Sequence, residues 1–273
     1  MNRLSRLDPR IIVGAGILAL LLIGALGASA FAPHPPERIH DDFIMAPPGT
    51  PGFLLGTDTL GRDLLSRMLY GARVSLLVGA SVVVIAGIFG VTVGLVAGAM
   101  GGWVDHVAMR ITEIFLSFPP LLLAVAIVGV RGPGVPNLII ALVVFSWTDY
   151  ARVVRGEMLA LREEPYVEAG RSIGMTEAQL VLRYMLPGVA NSIVILGTFG
   201  MASAILAEAA LSFLGLGVVA PAASWGSILS DARVFLRLAP HLVVFPGLAL
   251  MVTVMALHLL GDGLRDWLDP RSK

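Results

Sequence analysis

The segment Pro165–Gly188, PYVEAGRSIGMTEAQLVLRYMLPG, carries Glu168, Arg171, Glu177, Gln179 and Arg183 in a chain otherwise dominated by apolar runs. Its local chemistry predicts two short helices joined by a sharp bend. Pro165 suits a first helical turn, where its missing N–H leaves nothing unpaired. Gly174 supplies a stop in a conformation that other residues resist. Thr176 followed by Gln179 fits a capping box for the second helix, and Pro187-Gly188 ends the segment. Leu180, Leu182, Tyr184, Met185 and Leu186 are expected to face membrane or a partner. Glu163, Glu164 and Glu168 would be repelled by an anionic inner leaflet. A bent, acid-tipped projection therefore suits a protein groove better than a lipid surface.

Outward from this insert, the chain reads as membrane. It has 273 residues, 56% apolar and only 14% charged, against about 25% charged in soluble domains. Ile11–Ala32, Val74–Val104 and Tyr184–Ala207 carry no charge, and Leu238–Leu260 carries only His241 and His258. A bilayer crossing needs about 20 apolar residues. The pattern predicts an all-α integral membrane protein with six transmembrane helices, at about 11–32, 74–99, 108–130, 136–154, 189–213 and 240–261. Pro119-Pro120 interrupts the third, and only Arg131 with GPGVP separates it from the fourth. Pro119-Pro120 and Pro246-Gly247 are expected to kink their helices. Ala28-Ser29-Ala30 imitates a signal-peptidase site, but the apolar run before it is longer than a signal core, so the first helix is expected to be retained.

The segments are then residues 1–33, a tail and first helix; 34–73, an outer loop with a short amphipathic helix at Leu64–Tyr70; 74–262, a five-helix core holding the insert at about 163–188; and 263–273, a tail. With both termini cytoplasmic, twelve of the nineteen Arg and Lys residues fall inside: Arg3, Arg6, Arg10, Arg110, Arg152, Arg155, Arg162, Arg171, Arg183, Arg265, Arg271 and Lys273. That bias sets the orientation.

Composition also excludes. Net charge is zero, so nothing suggests nucleic acid, and the absence of cysteine removes disulfides and thiolate chemistry. The only lysine is Lys273, so no phosphate loop can form and any ATP must be bound by another subunit. The five histidines show no metal-ligand spacing. Neither H-E-x-x-H nor G-x-S-x-G is present, which argues against an intramembrane enzyme.

Other polar residues stand out. Gly90, Gly94 and Gly98 form a small-xxx-small ladder suited to close helix packing, within the chain in preference to a subunit interface. The outer stretch GTDTLGRD holds Gly56, Thr57, Asp58, Gly61, Arg62 and Asp63, which can make local ion pairs and cap a helix at Leu64. Asp and Gly are ordinary turn residues, which favours a structural turn at the outer mouth over cargo contact. Trp225 and Asp231, in SWGSILSDAR, could contact a delivery protein or dip into a pathway. Glu208, roughly 28 Å up the fifth helix at 1.5 Å per residue, is a pathway or gate candidate, or a solvated carboxylate near the outer interface. Asp149 and Arg152 read as an i, i+3 ion pair at the inner end of the fourth helix.

Glu168-Ala169-Gly170, three residues, Gly174, nine residues, Tyr184, one residue, Leu186-Pro187 resembles the EAA loop of ABC importer permeases. Gly170 stands where that family has Ala, and Tyr184 where it has Ile. LLGTDTLGRDLLSRMLYGARVSL, LSFLGLGVVAPAASWGSILSDAR, FPGLAL and LLGDGLRDWLDPR resemble the C-type permeases of dipeptide, oligopeptide and nickel importers. The resemblance covers nearly all of the chain past residue 54. It implies a type I ABC importer permease fold with a cytoplasmic coupling-helix loop, formed by Glu168, Ala169, Gly170, Gly174, Leu186 and Pro187. It further implies a bacterial inner-membrane location and four kinds of neighbour: a second permease subunit, two ATP-binding subunits, an extracytoplasmic solute-binding protein and lipid. ATP and Mg would sit on the ATPase subunits; this chain would hold no cofactor, metal or catalytic residue. The expected cargo is di- or oligopeptide, with nickel or a nickel chelate as the alternative. An ion-gradient-driven secondary transporter is the rival of another class; it predicts mid-bilayer relays or an inverted repeat, and the sequence shows neither.

Overall fold

The computed structural model describes residues 8–268; Arg3, Arg6, Arg271 and Lys273, counted above, lie outside them. Within that range the regular elements are helices, and no strand forms among the described residues. In chain order they are α1 (Pro9–Leu26), α2 (Ala28–Phe31), α3 (Leu64–Met100), α4 (Gly102–Leu116), α5 (Pro120–Arg131), α6 (Val135–Arg162), α7 (Pro165–Ser172), α8 (Glu177–Leu180), α9 (Leu186–Phe213), α10 (Trp225–Ala232) and α11 (His241–Leu268). A single π-helical turn, Val181–Met185, joins α8 to α9.

Five helices are long and apolar enough to cross a membrane: α1, α3, α6, the continuous Glu177–Phe213 segment and α11. The third expected span, 108–130, is instead the pair α4 and α5, bent by 82°. The cause is Pro119-Pro120: neither donates a backbone N–H, and a residue before proline is pushed out of the α region, as Pro119 is at ψ 122°. The proline pair therefore does more than kink the helix. In α11 the helix runs on through Pro246.

Two boundaries move outward. Asp63 caps α3 by accepting from the Ser66 N–H at 2.8 Å, so the expected amphipathic helix at Leu64–Tyr70 and the second span are one 37-residue helix. The fourth helix continues to Arg162. Asp149 is therefore in the middle of a helix, not at its inner end.

The centre of the bundle is α3 against α6. A Cβ on Gly90 would lie 2.2 Å from the Trp147 carbonyl oxygen, one on Gly94 2.8 Å from the Ala151 carbonyl oxygen, and one on Gly98 2.4 Å from Met158 Cβ. The glycine ladder, four residues per step on α3, thus faces a stripe on α6 at Trp147, Ala151 and Met158. In lipid, where packing rather than water expulsion drives association, such close approach is the main attractive contribution. The same device seats α1 on α11, with Gly14 against Ala256 and Leu260 and Gly263 against Ile11.

These contacts define two ends. Arg162 donates to the Gly98 carbonyl at 3.2 Å, placing the C-termini of α3 and α6, the α7–α8 hairpin, the start of α1 and the end of α11 together. At the other end, the Gly134 N–H bonds the Gly217 carbonyl at 2.9 Å, beside the 32–63 loop and α10.

Candidate functional site

The α7–α8 hairpin is built as its residues predict. Gly174 adopts φ +86°. Thr176 Oγ1 accepts from the Gln179 N–H while Gln179 Oε1 accepts from the Thr176 N–H at 2.9 Å, a reciprocal cap. Arg171 on α7 pairs with Glu177 on α8 at 2.9 Å, and that carboxylate holds the guanidinium's pKa above its ordinary value. Val167, Leu180, Met185 and Val189 are fully buried with Val154 and Met158 of α6. Leu180 and Met185 thus turn into the hairpin's own core, opposite to the outward direction expected of them. Leu182, within the π turn, remains 66% exposed.

Gly170 packs closely against the second helix of the hairpin. A Cβ at 170 would lie 2.6 Å from Leu180 Cδ2, because α8 packs across α7 at that point. Glu168 and Ala169, two and one residues before Gly170, are exposed, and the Glu168 carboxylate makes no hydrogen bond or ion pair among the described residues. Leu186 packs partly onto the hairpin core, and Pro187 opens α9 in its first turn. Ile173, 80% exposed, adds an apolar tip beside the acid. The arrangement is a stiff, two-helix wedge with an unpaired carboxylate at its surface.

At the opposite end, Gly56, Thr57, Asp58, Gly61, Arg62 and Asp63 form a buried knot. Asp58 is 3% and Arg62 9% exposed; they pair at 2.7 Å. Arg67, 3% exposed, closes on the same Asp58 carboxylate and reaches Asp231 on α10 at 3.5 Å. Thr57 Oγ1 accepts from the Ala46 N–H at 2.9 Å. Gly56 and Gly61 have φ of +81° and +76°, and a Cβ on either would strike the carbonyl of Ala46 or His40 at 2.3 Å. The motif's charges face each other and tie the outer loop to α3 and α10. The sequence reading gives Arg67 no pairing role; its signal is a cation in the first turns of α3, with Arg73 the other cation on that helix.

Trp225 is 1% exposed and donates its indole N–H to the Met68 carbonyl at 3.2 Å. It locks the start of α10 to α3. Glu208 is fully buried and accepts from the hydroxyls of Ser75 at 2.8 Å and Ser212 at 2.7 Å; it is not a solvated end-of-helix carboxylate. Its partner Ser75 lies inside an uncharged run, where nothing in the sequence marks it. His34 and His40 do come together, with ring centroids 5.0 Å apart, packed on Phe53. No group of three potential metal ligands forms among the described residues.

Comparison with known proteins agrees with this architecture. Residues 90–273 match the family model described as "Binding-protein-dependent transport system inner membrane component". The chain is 41% identical over 268 residues to a glutathione transport system permease protein, GsiD, of Pectobacterium atrosepticum, covering 98% of this chain and 89% of that one. It is 43% identical over 255 residues to the GsiD protein of Escherichia coli O1:K1 / APEC, covering 93% and 84%. An inward-facing structure of the MetNI methionine ABC transporter superposes with a TM-score of 0.62 at 20% identity, over 74% of this chain and 97% of that one, which is a likeness of fold. The exposed wedge, the small-residue bundle and the family match over residues 90–273 together make this chain a member of the binding-protein-dependent transport system inner membrane components, the pore-forming permeases of ABC importers, whose ATP is hydrolysed by separate subunits.

Proposed function

We propose that this permease imports short peptides, glutathione or a tripeptide like it, and that the α7–α8 hairpin is the element through which the ATPase subunits drive it. The observation that carries the cargo reading is the likeness to glutathione permeases at 41% identity along 98% of the chain. Support for the docking reading comes from the hairpin itself: buried residues fix its shape while Glu168, Ala169 and Ile173 stay exposed. The hairpin end faces the cytosol in this reading, with both termini on the same side, consistent with the arginine bias. Each importer contains this chain, a second permease and two ATPase subunits that hold ATP and Mg, and a solute-binding protein delivers cargo to the opposite end. Closure of the ATPase pair pushes the wedges together, and α6 and α9, which flank the hairpin, carry the motion into the bundle.

The test is reconstitution of the complete importer in vesicles. ATP-dependent accumulation of labelled glutathione or a labelled tripeptide is expected, and ATP turnover with no accumulation of either defeats the cargo reading. Glu168→Arg should abolish cargo-stimulated ATP hydrolysis in particles that still insert in the membrane. Undiminished hydrolysis in that variant defeats the docking role.

A further inference from the structure

A cavity of 310 Å³ opens between α3, the start of α5, α6 and α9. Its polar wall is Ser146, Asp149, Tyr150 and Ser203, and Phe145 and Phe199 supply aromatic surface. Packing sets its depth. The Tyr150 ring lies against Gly87, and the Trp147 carbonyl against Gly90. Both glycines stand in the middle of the charge-free run Val74–Val104, so the cavity is near the bilayer centre.

Two features of that wall are costly unless something meets them. Tyr150 is 4% exposed, yet its hydroxyl has no hydrogen-bond partner among the described residues; buried polar groups are normally paired. Asp149 makes a single long contact, 3.3 Å to Arg152, and the two side chains are 63% and 56% exposed. Charges at mid-bilayer depth do not face hydrocarbon; they face water, protein or a substrate path. The 82° break at Pro119 places Pro120 on the same cavity, where an irregular backbone is tolerated because it lines a space rather than lipid.

We propose that this cavity is a cargo subsite on the translocation pathway, in which Asp149 receives an ammonium group and the Tyr150 hydroxyl bonds a neighbouring polar group of a short peptide. The proposal rests on the peptide reading above. An ammonium group can displace the weakly held Arg152, and the face of Phe199 or Phe145 adds attraction for a cation. A space of this size holds one or two residues, so the site reads the amino end of a peptide and not its length. Ser146 and Ser203 offer hydroxyls to its amide groups.

The chain has no cysteine, which makes the test direct. Ser203→Cys is installed in an otherwise cysteine-free importer, reconstituted with all subunits, and treated with thiol reagents of equal size and opposite charge. The cationic reagent should react about tenfold faster than the anionic one, Asp149→Asn should erase that preference, and saturating tripeptide with a free amino end, but not its N-acetylated form, should slow labelling. Asp149→Asn and Tyr150→Phe should each raise the transport KM for the free-amino tripeptide, the former about tenfold or more. Absence of labelling in every nucleotide state means the face is buried against the second permease and overturns the site. Labelling indifferent to Asp149 and to the free-amino tripeptide overturns it as well, while leaving the importer reading untouched. Failure of the unmodified importer to move any peptide is the separate failure of the cargo reading.

Discussion

Asp58 shows what a buried charge does in this fold. It is 3% exposed and faces two guanidinium groups, those of Arg62 and Arg67. The arrangement is stable only as a set, because removing one partner strands the others away from water. Asp58→Asn is therefore expected to destabilise the outer end by about 3–5 kcal/mol, read as a lowered unfolding temperature of the purified importer. An unchanged transition would show the arginines to be solvated and not buried. Glu168 is the opposite case. Its carboxylate is exposed and unpaired, so changing it should leave the fold intact and show only when the ATPase subunits are present. The two acids differ in what surrounds them, not in type.

Among the helices, the contact of α3 with α6 sets the sharpest constraint. A methyl group on Gly90 would meet the Trp147 carbonyl at 2.2 Å, whereas one on Gly87 would meet the Tyr150 ring at an ordinary 3.7 Å. Backbone cannot move aside as a flexible side chain can. Gly90→Ala is expected to separate the helices and cost about 1–3 kcal/mol or more, while Gly87→Ala should be close to neutral or slightly favourable through helix propensity. Thermal unfolding of the two variants side by side checks this, and equal transitions would refute the close packing. The α7–α8 hairpin is stiff for a different reason, since its core residues and its reciprocal cap each oppose opening, the cap by about 1 kcal/mol. A soft hairpin would absorb a push that a stiff one transmits to α6 and α9.

The whole molecule is a bundle with a buried charge knot at one end, a projecting wedge at the other and a polar cavity between them. The only lysine is Lys273 and no Gly-rich loop precedes it, so the sequence carries no Lys-containing phosphate loop. The purified chain alone should therefore show no ATP binding by calorimetry, and a micromolar affinity would overturn the separation of motor from pore. In the docking role proposed above, force enters through the wedge. Small residues at the α3–α6 and α1–α11 contacts leave few interlocking side chains to resist a change of angle, which suits helices that have to tilt against one another.

Apolar run length, punctuation by Gly and Pro, and the capping box were local features, so the all-α membrane class, the hairpin, its bend at Gly174 and the pairing role of Gly90, Gly94 and Gly98 could be read from the order of residues. Each depends on neighbours a few positions away. The inward turn of Leu180 and Met185, the burial of Glu208 between Ser75 and Ser212, the joining of Arg67 to Asp58 and Asp231, and the depth of Asp149 and Tyr150 were set by segments far apart in the chain. Hydropathy and spacing record which residues are apolar, but not which distant helix covers them. In a bundle whose helices are apolar on nearly every side, only the packing decides which faces close against protein and which are left to lipid or to a polar path.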